Sequence, residues 1–197
     1  MPFWTTDHSA DSTLNDPKRK FRFKVAFGNI GSDAGVLWYA KTATKPSFQI
    51  AAAEHKYLNH TFYYPGSVTW QDVTVTLVDP VDPDMAATMT DIVATGGYTI
   101  PAGYANMETI SKAKAASALG AVTVSQIDSA GNELETWTMH NCFITEVKYG
   151  DLEYGGDDLT EISLTMKYDW ASLTTGGKSD LNGSSANTFF NVSTSSP

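Results

Sequence analysis

The chain has 197 residues with 42% hydrophobic and 12% aromatic content, enough to bury one sizeable core. Its formal charge is −9, from 13 basic and 22 acidic residues. That balance excludes nucleic-acid binding through a broad basic surface. A single cysteine, Cys142, excludes an internal disulfide.

The first 17 residues are polar and read as an N-terminal arm anchored by Phe3 and Trp4. They lack the basic start and apolar stretch of a signal peptide, so the expectation is a cytoplasmic product. No apolar run approaches the about 20 residues of a membrane helix, so no membrane anchor is expected. Lys20 to Phe27 predicts a first strand, with Phe21, Phe23, Val25 and Phe27 on one side. Gly28, Gly31 and Gly35 break the chain before a short strand over Val36 to Lys41.

Ser47 to Ala53 and Lys56 to Tyr64 read as a long strand pair, limited by Pro46 and Pro65-Gly66. Thr69 to Val78 follows, with Val73, Val75 and Leu77 alternating against Asp72, Thr74 and Thr76. The period then changes. Asp82-Pro83-Asp84 predicts a helix start capped by Asp82, Met85, Met89, Ile92 and Val93 form its apolar stripe, and Gly96-Gly97 stops it. Asn106 to Leu119 carries a weaker helical pattern.

Four more strands are predicted over 121–128, 133–140, 142–149 and 158–170. In the last, Ile162, Leu164, Met166, Tyr168 and Trp170 face inward, and Glu161, Ser163, Thr165, Lys167 and Asp169 face out. Past Ala171 the chain offers little to bury except Phe189-Phe190. The expected organisation is an arm over 1–17, a β domain over 18–172 and a flexible tail over 173–197. The predicted fold is mainly β: an antiparallel barrel or sandwich of about eight strands with one flanking α-helix.

Reactive constellations are weak. His55 and His60 beside Glu54 fall on opposite faces if they share one strand. His140 and Cys142, two apart, stand about 7 Å from each other along a strand, too far for direct proton transfer. Asp79, Asp82 and Asp84 lack the glycine and terminal glutamate of a calcium loop. Asp157-Asp158 follows Gly155-Gly156 as a turn would. No dinucleotide, phosphate-loop or nucleophile-elbow pattern occurs. No catalytic residue, metal or cofactor is therefore predicted. The aromatic-flanked polar hairpin around Glu54 to His60 instead suits a protein contact.

Several segments together resemble the tail tube proteins of contractile-tailed bacteriophages. DPKRKFRFKVAF resembles that family's first strand. KPSFQIAAAEHKYLNHTFYYPGSVTWQDVTVTLVDP resembles its long hairpin and following strand, and NCFITEVKYGDLEYGGDDLTEISLTMKYDW its last two strands. The resemblance spans roughly residues 16–172. It implies a non-catalytic virion subunit that stacks as hexameric rings into a hollow conduit for genome delivery. Its implied partners are further copies of itself, a contractile sheath, baseplate and terminator proteins, and DNA that passes without tight binding. Assembly is implied in the host cytoplasm. The Hcp tube protein of type VI secretion shares the implied fold and gives an alternative. A glycan- or small-molecule-binding barrel, suggested by five tryptophans, is another. On the tube reading, Lys56, Tyr57, Leu58 and Phe62 are candidate contacts between rings. Candidate lumen residues are those of two alternative wet strand faces, Asp72, Thr74 and Thr76, or Glu161, Ser163, Thr165, Lys167 and Asp169, one of which lines the channel; an acidic lumen repels phosphate.

Overall fold

In the computed structural model, the described residues are 18–29, 36–37, 39–101, 108–176 and 188–191. The expected arm over 1–17, with Phe3 and Trp4, lies outside them, as do Gly31, Gly35 and most of the expected tail.

Two antiparallel sheets enclose one core. The first contains β1 (Phe23–Phe27), β2 (Val36–Leu37), β7 (Val122–Ile127), β8 (Glu133–His140), β11 (Trp170–Thr175) and β12 (Thr188–Phe189), in the order β12-β11-β8-β7-β1-β2. The second contains β3 (Ala40–Ala43), β6 (Val73–Val78), β9 (Phe143–Lys148) and β10 (Glu161–Lys167), in the order β3-β6-β10-β9. A separate two-stranded ribbon pairs β4 (Phe48–Tyr57) with β5 (His60–Trp70).

Alternation explains the packing. Val73, Val75 and Leu77 of β6 and Ile162, Leu164 and Met166 of β10 are fully buried. They meet Val25, Phe27, Val122, Val124, Met139 and Ala171 from the opposing sheet. Each large apolar side chain withdrawn in this way contributes about 1.5–3 kcal/mol. The mainly antiparallel β prediction stands, as a two-sheet sandwich with a projecting ribbon and more than eight strands among the described residues.

Among the described residues two helices flank the core, not one. In α1 (Met85–Thr95) the cap is Asp84, not Asp82: its carboxylate accepts the Ala87 N–H at 2.9 Å, while Asp79 accepts that of Met85 at 3.2 Å. Met85 and Met89, one turn apart, are buried. The short α2 (Lys112–Leu119) is capped by Ser111 and ends at Gly120, whose φ of 74° suits glycine. Leu119 is its buried anchor. Asn106 lies outside the described residues.

Other boundaries also move. Phe21 precedes β1 and is 73% exposed, because pairing with β7 begins only at Phe23 opposite Gln126. The predicted 158–170 strand is two strands in different sheets, broken at Tyr168-Asp169. The expected tail from 173 onward is corrected in part. β11 continues to Thr175, and β12 pairs with it through Leu173–Phe189 and Thr174–Thr188.

Candidate assembly interface

The two-stranded ribbon grows out of the four-stranded sheet. β3 leads into β4, and β5 returns into β6. At the joint, the Thr44 N–H donates to the Thr74 carbonyl at 2.9 Å, and the Gln71 N–H to that of Ser47 at 2.8 Å. The predicted 69–78 strand therefore breaks at Gln71-Asp72, with Thr69 and Trp70 belonging to β5. Phe48 and Trp70 close the root edge to face, 5.2 Å between centroids. Tyr168 and Phe190 pack on Trp70 at 5.8 and 5.9 Å.

A carboxylate fixes this root. Glu135 of β8 accepts hydrogen bonds from Lys45, just ahead of β4, from Lys18, and from the Trp137 indole at 3.1 Å. Lys45 also donates to Gln126 at 2.7 Å. Burial alone raises the Glu135 pKa, but the two lysines outweigh it and hold the carboxyl at about 2. A depressed folded pKa means that the stabilisation is fully present above the ordinary carboxylate range. It is lost as pH falls toward 2. The two lysines are half exposed, so solvent screening limits the effect to on the order of 2–3 kcal/mol. Urea unfolding of wild type at pH 7 and pH 2.5 is expected to show this loss, and Glu135→Gln to show a smaller pH dependence.

Beyond the root every β4 residue is exposed, and so is β5 from Phe62 to Thr69. The turn is at Leu58-Asn59, with Leu58 in the left-handed region (φ 52°) and 88% exposed. β5 passes through Pro65-Gly66, which the sequence suggests as a limit; Pro65 opposes Ala52 beside a register shift. This register divides the candidate contact residues. Tyr57 opposes His60 and His55 opposes Phe62, so these four share one face. His55 and His60 therefore lie on the same side, contrary to the one-strand expectation. Lys56, opposite Thr61, is on the other face, and Leu58 caps the tip. The His60 and Phe62 rings meet edge to face at 4.7 Å. A lone two-stranded ribbon is marginal in water. This one also exposes Ile50, Tyr57, Leu58, Phe62, Tyr63, Tyr64 and Val68.

The candidate lumen residues come together on the outer face of the four-stranded sheet. Thr76 opposes Ser163 and Thr74 opposes Thr165. Thr42 and Lys148 extend the first row, and Glu146 the second. Lys167 lies 3.7 Å from Asp72, Lys148 lies 3.2 Å from Glu146, and Lys41 pairs with Glu161. This face is charge-balanced, not acidic as expected. Asp169 does not join it: it sits at the crossover to β11, bound by Lys112 at 2.7 and 2.8 Å and by Asn141 at 2.8 Å. A second hydroxyl face, absent from the sequence expectations, covers the six-stranded sheet. Ser125 bonds Thr136 at 2.9 Å, and Thr174 opposes Thr136 and Thr188. The alternations VTVSQI and TWTM carry its signal.

The reactive candidates are placed structurally. His140 bonds the Ser172 hydroxyl at 3.0 Å and stacks on Trp170 at 4.8 Å. Cys142 is fully buried, and burial pushes its thiol up to about 12. Raising the pKa from 9 to 12 leaves about a thousandfold less thiolate. A disulfide reagent at pH 8 is accordingly expected to leave Cys142 unmodified until denaturant is added. Among the described residues, no three His, Cys, Asp or Glu side chains gather as a metal site.

No protein-family profile matches the chain, and no curated protein matches its sequence. Solved structures do. A chain from the tube-terminating cap of the anti-feeding prophage superposes with a TM-score of 0.61 at 15% identity, over 86% of this chain and 99% of that one. One from the sheath/tube terminator of an extracellular contractile injection system gives 0.60 at 16%, over 83% and 100%. The chain has the tube-protein fold of contractile injection systems. The same fold matches a chain of the extended sheath-tube complex of an extracellular contractile injection system, with a TM-score of 0.56 at 16% identity, over 83% of this chain and 95% of that one.

Proposed function

We propose that this chain is a structural subunit of the tube of a contractile particle. Copies close into hexameric rings, and the rings stack into a hollow conduit inside a contractile sheath. The observation that carries this reading is the β4–β5 arm, an apolar ribbon left exposed by the described residues, on a fold shared with chains of tube assemblies. Among the described residues β3 and β9 are the edge strands of the four-stranded sheet, and such edges can pair with neighbours. A head-to-tail contact whose rotation closes makes a ring, and stacking extends it.

In the bacteriophage form of this reading the tube belongs to a virion tail. It meets sheath, baseplate and terminator proteins and passes DNA. Were the four-stranded sheet to line the channel, its hydroxyls and its lysines paired with carboxylates would give phosphate little net positive charge to hold. A second reading, delivery of a non-genomic cargo by an extracellular injection particle, draws support from the anti-feeding prophage and injection-system likenesses. The glycan-binding alternative draws no support from the grooves of 720, 620, 570 and 430 Å³, whose walls contain no tryptophan.

Negative-stain microscopy of the purified full chain tests the proposal. Rings or tubes of constant width, with a stained lumen, are expected. Dispersed single particles at every concentration, with binding on a glycan array, would overturn it. DNA retained in particles isolated from the producing cell separates the genome conduit from the injection reading.

A further inference from the structure

The four-stranded sheet has two dissimilar ends. The arm leaves from the end marked by Ala43, Val73 and Met166. At the opposite end, marked by Val78, Lys148 and Glu161, the chain turns out of β9 at Gly150 into an irregular loop over 151–160. Gly150 has φ 76°, and a Cβ there would come within 2.7 Å of the Glu161 carbonyl, so this turn requires glycine. A backbone bond from the Asp79 N–H to the Thr160 carbonyl at 2.9 Å ties the loop to the chain leaving β6.

This end is apolar where water should be. Leu152 is 88% exposed, and Tyr154 and Val81 are fully exposed. Leu152, Tyr154 and Leu159 line an open groove of 720 Å³ with Lys41 at its side. Large apolar side chains clustered in the open mark an interaction surface. The loop also carries Asp151, Glu153, Asp157 and Asp158. The arm tip offers the complement: Leu58, Tyr57 and Phe62 for the apolar wall, and Lys56 on the opposite face of the ribbon. Ten residues of strand reach about 33 Å, long enough to cross to another subunit.

We propose that the groove under loop 151–160 receives the arm tip of a second copy of this chain, with Leu58 against Leu152 and Tyr154 and Lys56 toward the loop carboxylates. The inference rests on the tube reading and identifies the acceptor for its stacking contact. In a head-to-tail stack, opposite ends of the same sheet must meet. Here one end is a projecting apolar tip with a cation, and the other is an apolar groove with an acidic rim.

The test places Leu58→Cys and Leu152→Cys in one full-length chain, at two exposed positions, and oxidises it in air with copper phenanthroline under assembly conditions. Cys142 remains, buried. Non-reducing gels are expected to show a ladder extending beyond six copies, because each chain offers one arm thiol and one loop thiol. Either single variant should give no ladder. Tubes visible by microscopy but without cross-links would overturn the acceptor and leave the tube reading standing. A ladder ending at six would place the contact within a ring and overturn the stacking role. No assembly by the unsubstituted chain under the same conditions would overturn both. A charge exchange gives an independent readout. Lys56→Glu is expected to raise the critical assembly concentration about tenfold, and adding Asp151→Lys and Glu153→Lys to recover most of it. Equal weakening with and without the loop changes would contradict the pairing.

Discussion

Replacing Tyr57 and Phe62 together by serine is expected to abolish tube assembly while leaving the fold intact. The two side chains share one face of the arm, are 65% and 45% exposed, and stand apart from the sandwich core. Exposed substitutions of this kind change stability by at most about 0.5 kcal/mol, so the melting temperature should stay within about 2 °C of wild type. At an interface, by contrast, buried aromatic anchors are worth about 2 kcal/mol or more each. In the proposed tube of stacked rings, every subunit would repeat the loss. Sedimentation velocity and calorimetry on the same samples separate the two effects. Normal tubes from the double variant would remove the arm from the assembly account.

The second large effect lies in the core. Leu164→Ala is expected to cost about 2–5 kcal/mol of folding stability, through lost burial and the cavity left behind. Leu164 is fully buried between Val75 and Val147 in adjacent strands, where the sheet ladders restrict collapse around the gap. A melting temperature lower by roughly 4–20 °C follows for a chain of this size. Ser163→Ala, next to it on the outer face, is expected to change unfolding by no more than about 0.5 kcal/mol. Urea denaturation of the two variants compares the faces directly.

The contrast between Leu164 and Ser163 was legible in the sequence, since period-two alternation over Glu161–Lys167 assigns each side chain to a face. The end of that strand was not. Tyr168 and Trp170 continue the same alternation in letters, yet the chain crosses between sheets there. Both aromatic residues find cover on either side of the crossing, so hydropathy carries no mark of it. In the arm, Pro65-Gly66 resembled a stop because proline cannot donate to a ladder. In an exposed two-stranded ribbon with a register shift, that missing N–H removes little. The true turn, Leu58-Asn59, has no glycine to announce it. Moving the turn by a few residues put His55 and His60 on one side and Lys56 on the other.

The candidate surfaces show the same division. The wet sides of β6 and β10 were readable separately as Thr74, Thr76, Ser163 and Thr165. Their union into one face depends on strand register, which single-strand periodicity does not encode. Charge was harder still. The net −9 of the chain suggested an acidic wall, but ion pairs from four segments neutralise the face that those residues form. Glu135 likewise draws its partners Lys18 and Lys45 from positions 117 and 90 residues away, a pairing that sequence distance does not announce. The arm root and the acceptor groove are products of topology, although the residues that make them sticky, Tyr57, Leu58, Phe62, Leu152 and Tyr154, are plain in the sequence.

Backbone hydrogen exchange of β4 and β5, followed in dilute protein and again in assembled material, bears most directly on the idea that another copy completes the arm. The amides between Ile50 and Val68 are expected to exchange rapidly in dilute protein and at least about a hundredfold more slowly once assembled, while those of β6 and β10 stay protected throughout. Full protection of the arm already present in isolated molecules, unchanged on concentration, would contradict the account.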